Sequence, residues 1–159
     1  MRELYTHIGG APTRLQESTR YVNAENFAYI VPPSIAKDQA ALKLYTDHMQ
    51  LTSDLITQLT ELGVPREDIA MELPLGMESK MIIRTNLRNL VDMSHQRLCS
   101  RAYWEFRALM HDIINELDGY SNEWLMLDQD FNLFVPKCEF LGYCPEKYCC
   151  GRKEGKKNA

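Results

Sequence analysis

The sequence predicts an α+β protein that is mostly helical and carries a small sheet. Apolar residues recur at helical spacing over several long segments, whereas the short apolar runs at 27–31 and 79–85 have the composition of β-strands. Hydrophobic residues make up 45% of the chain and charged residues 25%, which is typical of a globular protein. The 159 residues suffice for one domain with a core, or for part of a larger domain.

The first part of the chain predicts loops followed by one long helix. The first 35 residues are rich in turn-forming and polar residues, and FAYIV at 27–31 predicts a brief strand that the prolines at 32–33 stop. Ser34 is the predicted N-cap of the helix, and Gly63 its terminating C′ residue. The apolar side of this helix is predicted from residues near a 3.6-residue period: Ala41, Leu44, Tyr45, His48, Leu51, Leu55, Leu59 and Leu62.

The second part alternates one strand with several helices. VPREDIAMEL predicts a short helix with Pro65 in its first turn, and SKMIIRT at 79–85 predicts a strand. Two helices follow, over TNLRNLVDMSHQRL and over about 100–117, and NEWLMLDQ predicts another after Ser121. From Pro136 the tail is predicted to be a loop. The apolar face of the helix over TNLRNLVDMSHQRL consists of Leu87, Leu90, Val91, Ser94 and Leu98.

Charge and hydropathy exclude several classes of protein. The net charge of −4 argues against a general nucleic-acid binder, which is normally basic. No apolar run approaches the roughly 20 residues of a membrane helix. The first ten residues, MRELYTHIGG, contain no apolar signal-peptide region, so we expect a cytoplasmic protein without nucleic-acid or membrane partners.

The tail is rich in cysteine. Cys138, Cys144, Cys149 and Cys150 have the spacing C-x5-C-x4-C-C. Four thiolates can hold zinc tetrahedrally, but this spacing is not the usual pair of closely spaced cysteines. We expect no metal, and keep a zinc site as the alternative to reduced, unliganded cysteines or a transient disulfide.

Two arginines flank the apolar stripe of the helix that begins near residue 86. Arg88 and Arg97 are nine residues apart, about 900° of helical turn, so they leave a regular helix on opposite sides. One copy of this helix could not easily present both to one small ligand. Either Arg88 precedes the regular helix, or the site lies between subunits.

Residues 63–106 resemble the flavin-dependent thymidylate synthase family. The shared order is a Leu-Pro, a strand, Asn-x-Arg at a helix start, an arginine nine residues on, and a Trp-Glu helix. Near the start of the chain, LQESTRYV is similar to the end of the family signature R-H-R-x-x-S-x-N-E-x-S-x-R. The chain therefore resembles the C-terminal two thirds of such an enzyme, with the N-terminal part missing. It is divided into a partial synthase domain, 1–135, and a Cys-rich basic tail, 136–159.

The resemblance implies that dUMP is reductively methylated to dTMP, as in a homotetrameric FAD enzyme with shared sites. Methylenetetrahydrofolate supplies the carbon and NADPH reduces the flavin, and these are the implied co-substrates. Arg97 is the implied catalytic residue, because it would hold the uracil edge and stabilise charge. The residues implied to bind dUMP are Gln16, Glu17, Ser18, Arg20 and Arg97. The residues implied to bind FAD are His7, Asn86, Arg88 and Arg101.

The sequence also departs from the family pattern. Thr6 and Ile8 replace the two arginines that flank the signature histidine. Ala70 stands where members commonly carry an arginine near the nucleotide, unless Arg66 or Lys80 substitutes. Two other hypotheses therefore stay open. One is a truncated or degenerate, non-catalytic relative that binds nucleotide or flavin weakly, and the other is a small helical adaptor with a metal-binding tail.

Overall fold

The computed structural model describes residues 13–18 and 25–155. By their contacts the residues form two compact units, one over 14–83 and one whose described residues are Thr13 and 84–155. Helices dominate both units, and the strands of one two-stranded sheet are β1 (Thr13–Gln16) and β2 (Met81–Arg84). The predicted α+β class with a small sheet agrees with this architecture. No helix among the described residues is long and apolar enough to cross a membrane.

The sheet joins one predicted strand to one that the sequence analysis missed. Strand β2 lies inside the predicted run 79–85, whereas β1 lies in a part of the chain that was predicted to be loops. The pairing continues beyond β1, since the N–H of Glu17 donates to the carbonyl of Lys80 over 3.0 Å. The predicted strand at 27–31 is wrong, because only Tyr29 forms an isolated bridge, to Met77.

The long helix of the first unit is split at its start. Helix α1 (Pro33–Ala36) is a single turn, and α2 (Gln39–Glu61) begins after Asp38, whose carboxylate accepts the N–H groups of Ala40 and Ala41. Asp38 rather than Ser34 therefore caps the long helix. Gly63, with a φ of +76°, ends α2 as predicted. The N–H groups of Gly63 and Val64 bond back to Thr60 and Leu59, which is a Schellman motif.

Helix α2 buries a different face from the one that the sequence predicts. Its buried residues are Met49, Thr52, Ser53 and Ile56. The predicted apolar side points mostly outward: Leu44 is 73% exposed, Leu51 67% and Leu62 79%. The Thr52 hydroxyl donates to the carbonyl of His48 in the same helix, and the Ser53 hydroxyl accepts the N–H of Asn26, so burying these small polar residues costs little.

Two loops of the first unit are held together against α2. The N–H of Ile30 donates to the carbonyl of Gly76, and the hydroxyl of Tyr45 donates to the carbonyl of Ile30 over 3.0 Å. The ring of Tyr45 also packs edge-to-face on Tyr29. A β-carbon at Gly76 would lie 2.5 Å from the Tyr45 hydroxyl, so the close approach requires glycine. After α2 come α3 (Arg66–Ile69) and a 3-10 turn (Ala70–Glu72).

The second unit is built on helices alone. Helix α4 (Leu87–Arg97) packs on α5 (Trp104–Tyr120), and α5 packs on α6 (Asn122–Gln129). The core side chains of these helices include Leu90, Met93, Phe106, Met110 and Ile114. Helix α5 starts later than predicted, because 100–103 form turns. The tail is not a plain loop, since α7 (Lys137–Leu141) packs on α4 with Cys138 buried.

The domain boundary predicted at 135/136 stays a prediction. Residues on both sides of it belong to the unit that runs from 84 to 155.

Candidate functional site

The amino end of α4 is shaped as a site for an anion. Asn86 is the N-cap, and its side-chain oxygen accepts the N–H of Asn89 over 2.9 Å. The backbone carbonyl of Asn86 also accepts the N–H of Leu90. The helix itself leaves the remaining N–H groups of its first turn unpaired, and the helix dipole favours negative charge at this end. Since the cap uses the amide oxygen of Asn86, its amide NH2 remains to donate.

Arg88 adds a cation to this end of the helix. Its side chain is exposed and makes no hydrogen bond or ion pair with the residues that the structure describes. Arg88 lies within the regular helix, not before it, so the first explanation of its offset from Arg97 is wrong. The two arginines therefore stand on opposite sides of α4, about 14 Å apart along the axis.

Arg97 is the last residue of α4 and is half-buried. Its guanidinium carbon lies 4.9 Å from the ring centroid of Phe106, a buried residue of α5. A guanidinium stacked on an aromatic face is fixed in orientation while its edge can still donate hydrogen bonds. The α4–α5 packing thus holds Arg97 in place.

Arg101 follows α4 in the turn before α5 and is engaged by the tail. It donates to the carbonyl of Tyr148 over 3.0 Å and lies 3.8 Å from the carboxylate of Glu146. Its guanidinium also lies over the Tyr148 ring, 5.9 Å from the centroid. Arg101 therefore has partners within its own unit, unlike an arginine held open for a ligand.

The predicted nucleotide segment lies in the first unit. Gln16 ends β1, and Glu17 and Ser18 follow it with exposed side chains. Glu17 is anchored twice to Lys80, because its N–H donates to the Lys80 carbonyl and its carboxylate lies 3.4 Å from the Lys80 N–H. The segment that carries Ser18 is therefore attached to the start of β2.

The other predicted residues lie either outside the described part of the chain or in α3 and the 3-10 turn. His7 and Arg20 lie outside the residues that the structure describes. Ala70 is half-buried where α3 passes into the 3-10 turn, and Arg66 is exposed at the first position of α3. The structure thus places Asn86, Arg88, Arg97 and Arg101 in the second unit, and Gln16, Glu17 and Ser18 in the first.

A cavity of about 200 Å³ in the second unit was not predicted. Its walls include His95, Cys99 and Arg101 from α4 and the turn after it, and Cys138, Cys144 and Cys150 from the tail. The sequence analysis gave His95 no functional role and predicted the tail to be a loop. No sequence pattern indicated that the tail folds back on α4, so the cavity could not have been found from the sequence.

Burial changes the titration of the histidine in this cavity. The His95 ring stacks on Phe140 with centroids 4.8 Å apart, and its Nε2 is buried without a hydrogen-bond partner among the described residues. Burial lowers the pKa of His95, and the charge of Lys137 lowers it further, against an opposing effect of Asp92. Burial therefore favours the neutral form of His95.

The tail cysteines do not form a ligand set for a metal. All five cysteines of the chain are free, and Cys138 and Cys144 are buried whereas Cys149 and Cys150 are exposed. No group of three or more His, Cys, Asp or Glu side chains among the described residues is arranged to hold a metal ion. The four-thiolate zinc alternative therefore receives no support from the structure.

Comparison with known proteins decides the family. The family model "Thymidylate synthase complementing protein" matches residues 11–120. The "Flavin-dependent thymidylate synthase" of Nitratidesulfovibrio vulgaris is 33% identical over 147 residues, which is 86% of this chain and 58% of that protein. The protein of the same name from Pyrococcus abyssi is 33% identical over 136 residues, covering 83% of this chain and 55% of its own. The chain belongs to the flavin-dependent thymidylate synthase family.

The family match includes the described site residues, but the chain matches only part of the length of a synthase. The matched residues 11–120 include all of the described site residues, from Gln16 to Arg101, and exclude the tail cysteines. The relative from Geobacter sulfurreducens, 32% identical, shares 57% of its length with 86% of this chain. The chain spans little more than half the length of these flavin-dependent thymidylate synthases.

Proposed function

We propose that this chain carries out the family reaction, the reductive methylation of dUMP to dTMP, as an FAD-dependent thymidylate synthase. Methylenetetrahydrofolate is the proposed carbon donor and NADPH the proposed reductant, and the proposed location is the cytoplasm. The proposal rests above all on the amino end of α4, within the matched segment. There, an exposed arginine without partners among the described residues adjoins a capped helix N-terminus.

The residues at this end of α4 fit the diphosphate of FAD. Unpaired first-turn N–H groups, the Asn86 amide and the Arg88 guanidinium form a set made only of donors, next to the positive end of a helix dipole. Asn86 and Arg88 would hold the phosphates, and Arg101 and His7 complete the proposed flavin contacts. When bound, the flavin supplies the hydride.

The residues proposed for dUMP are those that the family resemblance implies. Ser18 and Arg20, with Gln16 and Glu17, would bind the nucleotide, and Lys80 supplies a cation where Ala70 replaces an arginine. Lys80 is the better of the two candidates, because its backbone is bonded to Glu17. Arg97 would donate to the uracil edge and stabilise the negative charge that develops when the ring is activated. The stacking on Phe106 orients its guanidinium for this role.

We further propose a homotetramer with sites shared between subunits. Arg88 and Arg97 leave α4 on opposite sides, so one helix can serve the flavin in one site and the nucleotide in another. The exposed leucines of α2 support an association of this kind. Leu44, Leu51, Leu55 and Leu62 are spaced 7, 4 and 7 residues apart and lie within about 40° of the helix circumference.

The proposal is tested by flavin retention and turnover. The purified chain is mixed with FAD, gel-filtered with and without dUMP, and its visible absorption is recorded, followed by an assay for dTMP. We expect retained flavin and turnover, with Arg88→Ala raising the Kd for FAD about ten- to hundred-fold, as for a lost charged hydrogen bond. Lys43→Ala is the matched control, because it removes one exposed cation from α2 and leaves α4 unchanged.

Each failure has a distinct meaning. Retained flavin without dTMP formation would support the degenerate, non-catalytic relative. Absence of flavin binding, or equal Kd values for Arg88→Ala and Lys43→Ala, would remove the flavin role of α4.

A further inference from the structure

The tail turns back on itself after α7. The N–H of Cys144 donates to the carbonyl of Glu154 over 2.7 Å, and Cys144 and Gly155 form an isolated parallel bridge. Gly151, with a φ of +90°, provides the left-handed residue that the reversal needs. The reversal brings Cys149 close to Cys144, because the Sγ of Cys149 bonds to the carbonyl of Lys153 and the N–H of Cys144 bonds to the carbonyl of the adjacent Glu154.

The backbone holds both cysteines in position. The Sγ of Cys149 accepts the N–H of Gly151 over 3.3 Å and donates to the carbonyl of Lys153 over 2.8 Å. Cys144 is held through its own N–H, which donates to the carbonyl of Glu154. Cys149 is exposed and Cys144 is buried. One thiol of the pair is therefore open to a reagent in solution, and the other is sheltered beside it.

This geometry suits a reaction of two sulfurs better than a metal. A structural zinc site needs four ligands, and the described residues contain no group of three suitable side chains. Thiol–disulfide exchange needs only two thiols within reach of each other. Cys144 and Cys149 are held by the adjacent residues Glu154 and Lys153, and neither forms a disulfide.

We propose that Cys144 and Cys149 form a reversible dithiol–disulfide pair, oxidised by low-molecular-weight disulfides of the glutathione class. The Cys149 thiolate attacks one sulfur of the oxidant, which forms a mixed disulfide and releases one thiolate. Cys144 then loses its proton and attacks the Sγ of Cys149, which closes the internal disulfide and releases the second thiolate. The two cysteines lose two electrons and two protons, and the oxidant takes them up as two thiols.

The surroundings of the pair set the order of these steps. At Cys144 the hydrogen bond from Glu146 lowers the pKa, but burial and the neighbouring thiols of Cys149 and Cys138 outweigh it, so the net pKa is raised. Cys144 is therefore suited to the second step rather than the first. Cys150 is the competing thiol, because the Ser100 hydroxyl and the backbone and charge of Arg152 lower its pKa.

Closing the bond would affect a neighbouring arginine. The ring from Cys144 to Cys149 contains Glu146 and Tyr148, the two residues that engage Arg101. Oxidation therefore fixes the segment that holds this arginine. The pairing itself does not depend on the proposed synthase activity.

Tryptic peptides test the pairing on the full chain. Cleavage after Lys137, Lys147 and Arg152 leaves Cys138 and Cys144 in one peptide and Cys149 and Cys150 in another. The chain is oxidised with oxidised glutathione, its free thiols are blocked with N-ethylmaleimide, and the digest is analysed by mass spectrometry. We expect the two peptides to be linked, with fragmentation assigning the bond to Cys144 and Cys149 and dithiothreitol releasing it.

Matched serine variants sharpen the test. Cys138→Ser and Cys150→Ser each remove the other cysteine of a peptide, and we expect both variants to keep the link. Cys144→Ser and Cys149→Ser are expected to lose it, with circular dichroism to confirm that they fold. Fragmentation of the wild-type peptides assigns the bond even where a variant fails to fold. A bond to Cys138 or Cys150, mixed disulfides alone, or one zinc per chain that protects the thiols would each overturn the proposal.

Discussion

Helices α2 and α4 distribute their apolar residues in opposite ways. Helix α4 buries Leu90 and Met93 and turns Arg88, Asp92 and Gln96 outward. Helix α2 buries small polar residues beside Met49 and Ile56 and turns four leucines outward. Both helices are amphipathic in sequence, so amphipathicity by itself does not identify the face that a single chain buries.

The difference indicates what each helix is for. Burying a leucine side chain stabilises a protein by about 1.5–3 kcal/mol. The four exposed leucines in one stripe therefore represent a hydrophobic stabilisation that the single chain does not gain. Helix α4 leaves no comparable stripe, since Leu87 is its one exposed leucine and its other exposed residues are charged or polar. We therefore interpret α4 as a helix whose packing is completed inside its own unit, and α2 as one that needs a further surface.

The largest expected effect separates the two faces of α2. Ile56→Ala should lower the free energy of unfolding by about 2–5 kcal/mol, because Ile56 is fully buried and its loss leaves a cavity. Leu51→Ala should change the unfolding free energy of the monomer by less than about 0.5 kcal/mol. Urea unfolding at low protein concentration measures both. Similar losses in the two variants would mean that the leucine face is packed within the chain.

A second test addresses the leucine face directly. Leu51→Glu should shift the chain to a smaller species on gel filtration and light scattering, because a charge in the middle of an apolar interface stays unpaired. Gln50→Glu is the control, since it adds the same charge at the neighbouring exposed position and removes no leucine. If neither variant changes the molecular mass, the stripe is not an interface between copies of this chain.

The smallest expected effect concerns the pH dependence that follows from the burial of His95 on α4. The folded state lowers the pKa of His95 through burial, so the unfolded chain binds more protons below the ordinary value of 6.5. The contribution of His95 to stability is therefore complete above that pH and is lost as the pH falls through it. Thermal unfolding of wild type and His95→Gln between mildly acidic and neutral pH should show a shallower pH dependence in the variant. Parallel curves would contradict the buried, neutral histidine.

The sequence predicted those elements whose signals are local. The strand β2, the helix α4 and the end of α2 at Gly63 all depend on residues within one or two turns. The strand β1 was missed because its partner lies more than sixty residues away along the chain. The buried side of α2 was predicted wrongly because the prediction relied on hydrophobicity, and leucine is more hydrophobic than threonine. Close packing also favours small side chains whose hydroxyls are hydrogen-bonded.

In the candidate site, too, the sequence predicted the features with local signals and missed those that depend on distant residues. The predicted helix over TNLRNLVDMSHQRL matches α4, which carries Arg88 and Arg97 and has Asn86 as its N-cap, but the sequence left open whether Arg88 lies within the helix. The engagement of Arg101 by Tyr148, 47 residues further along, and the cavity behind it depend on the fold of the tail. The cysteine spacing did not indicate that fold, because it matches no common motif.

The close approach of Gly76 to Tyr45 constrains how this family member can diverge. Any side chain at position 76 would occupy the space of the phenol hydroxyl, and any shift of that phenol would release the carbonyl of Ile30. A side chain at position 76 therefore requires the phenol to move and give up that hydrogen bond. Among descendants that keep the same loop pairing, we expect glycine to persist at 76 wherever tyrosine persists at 45.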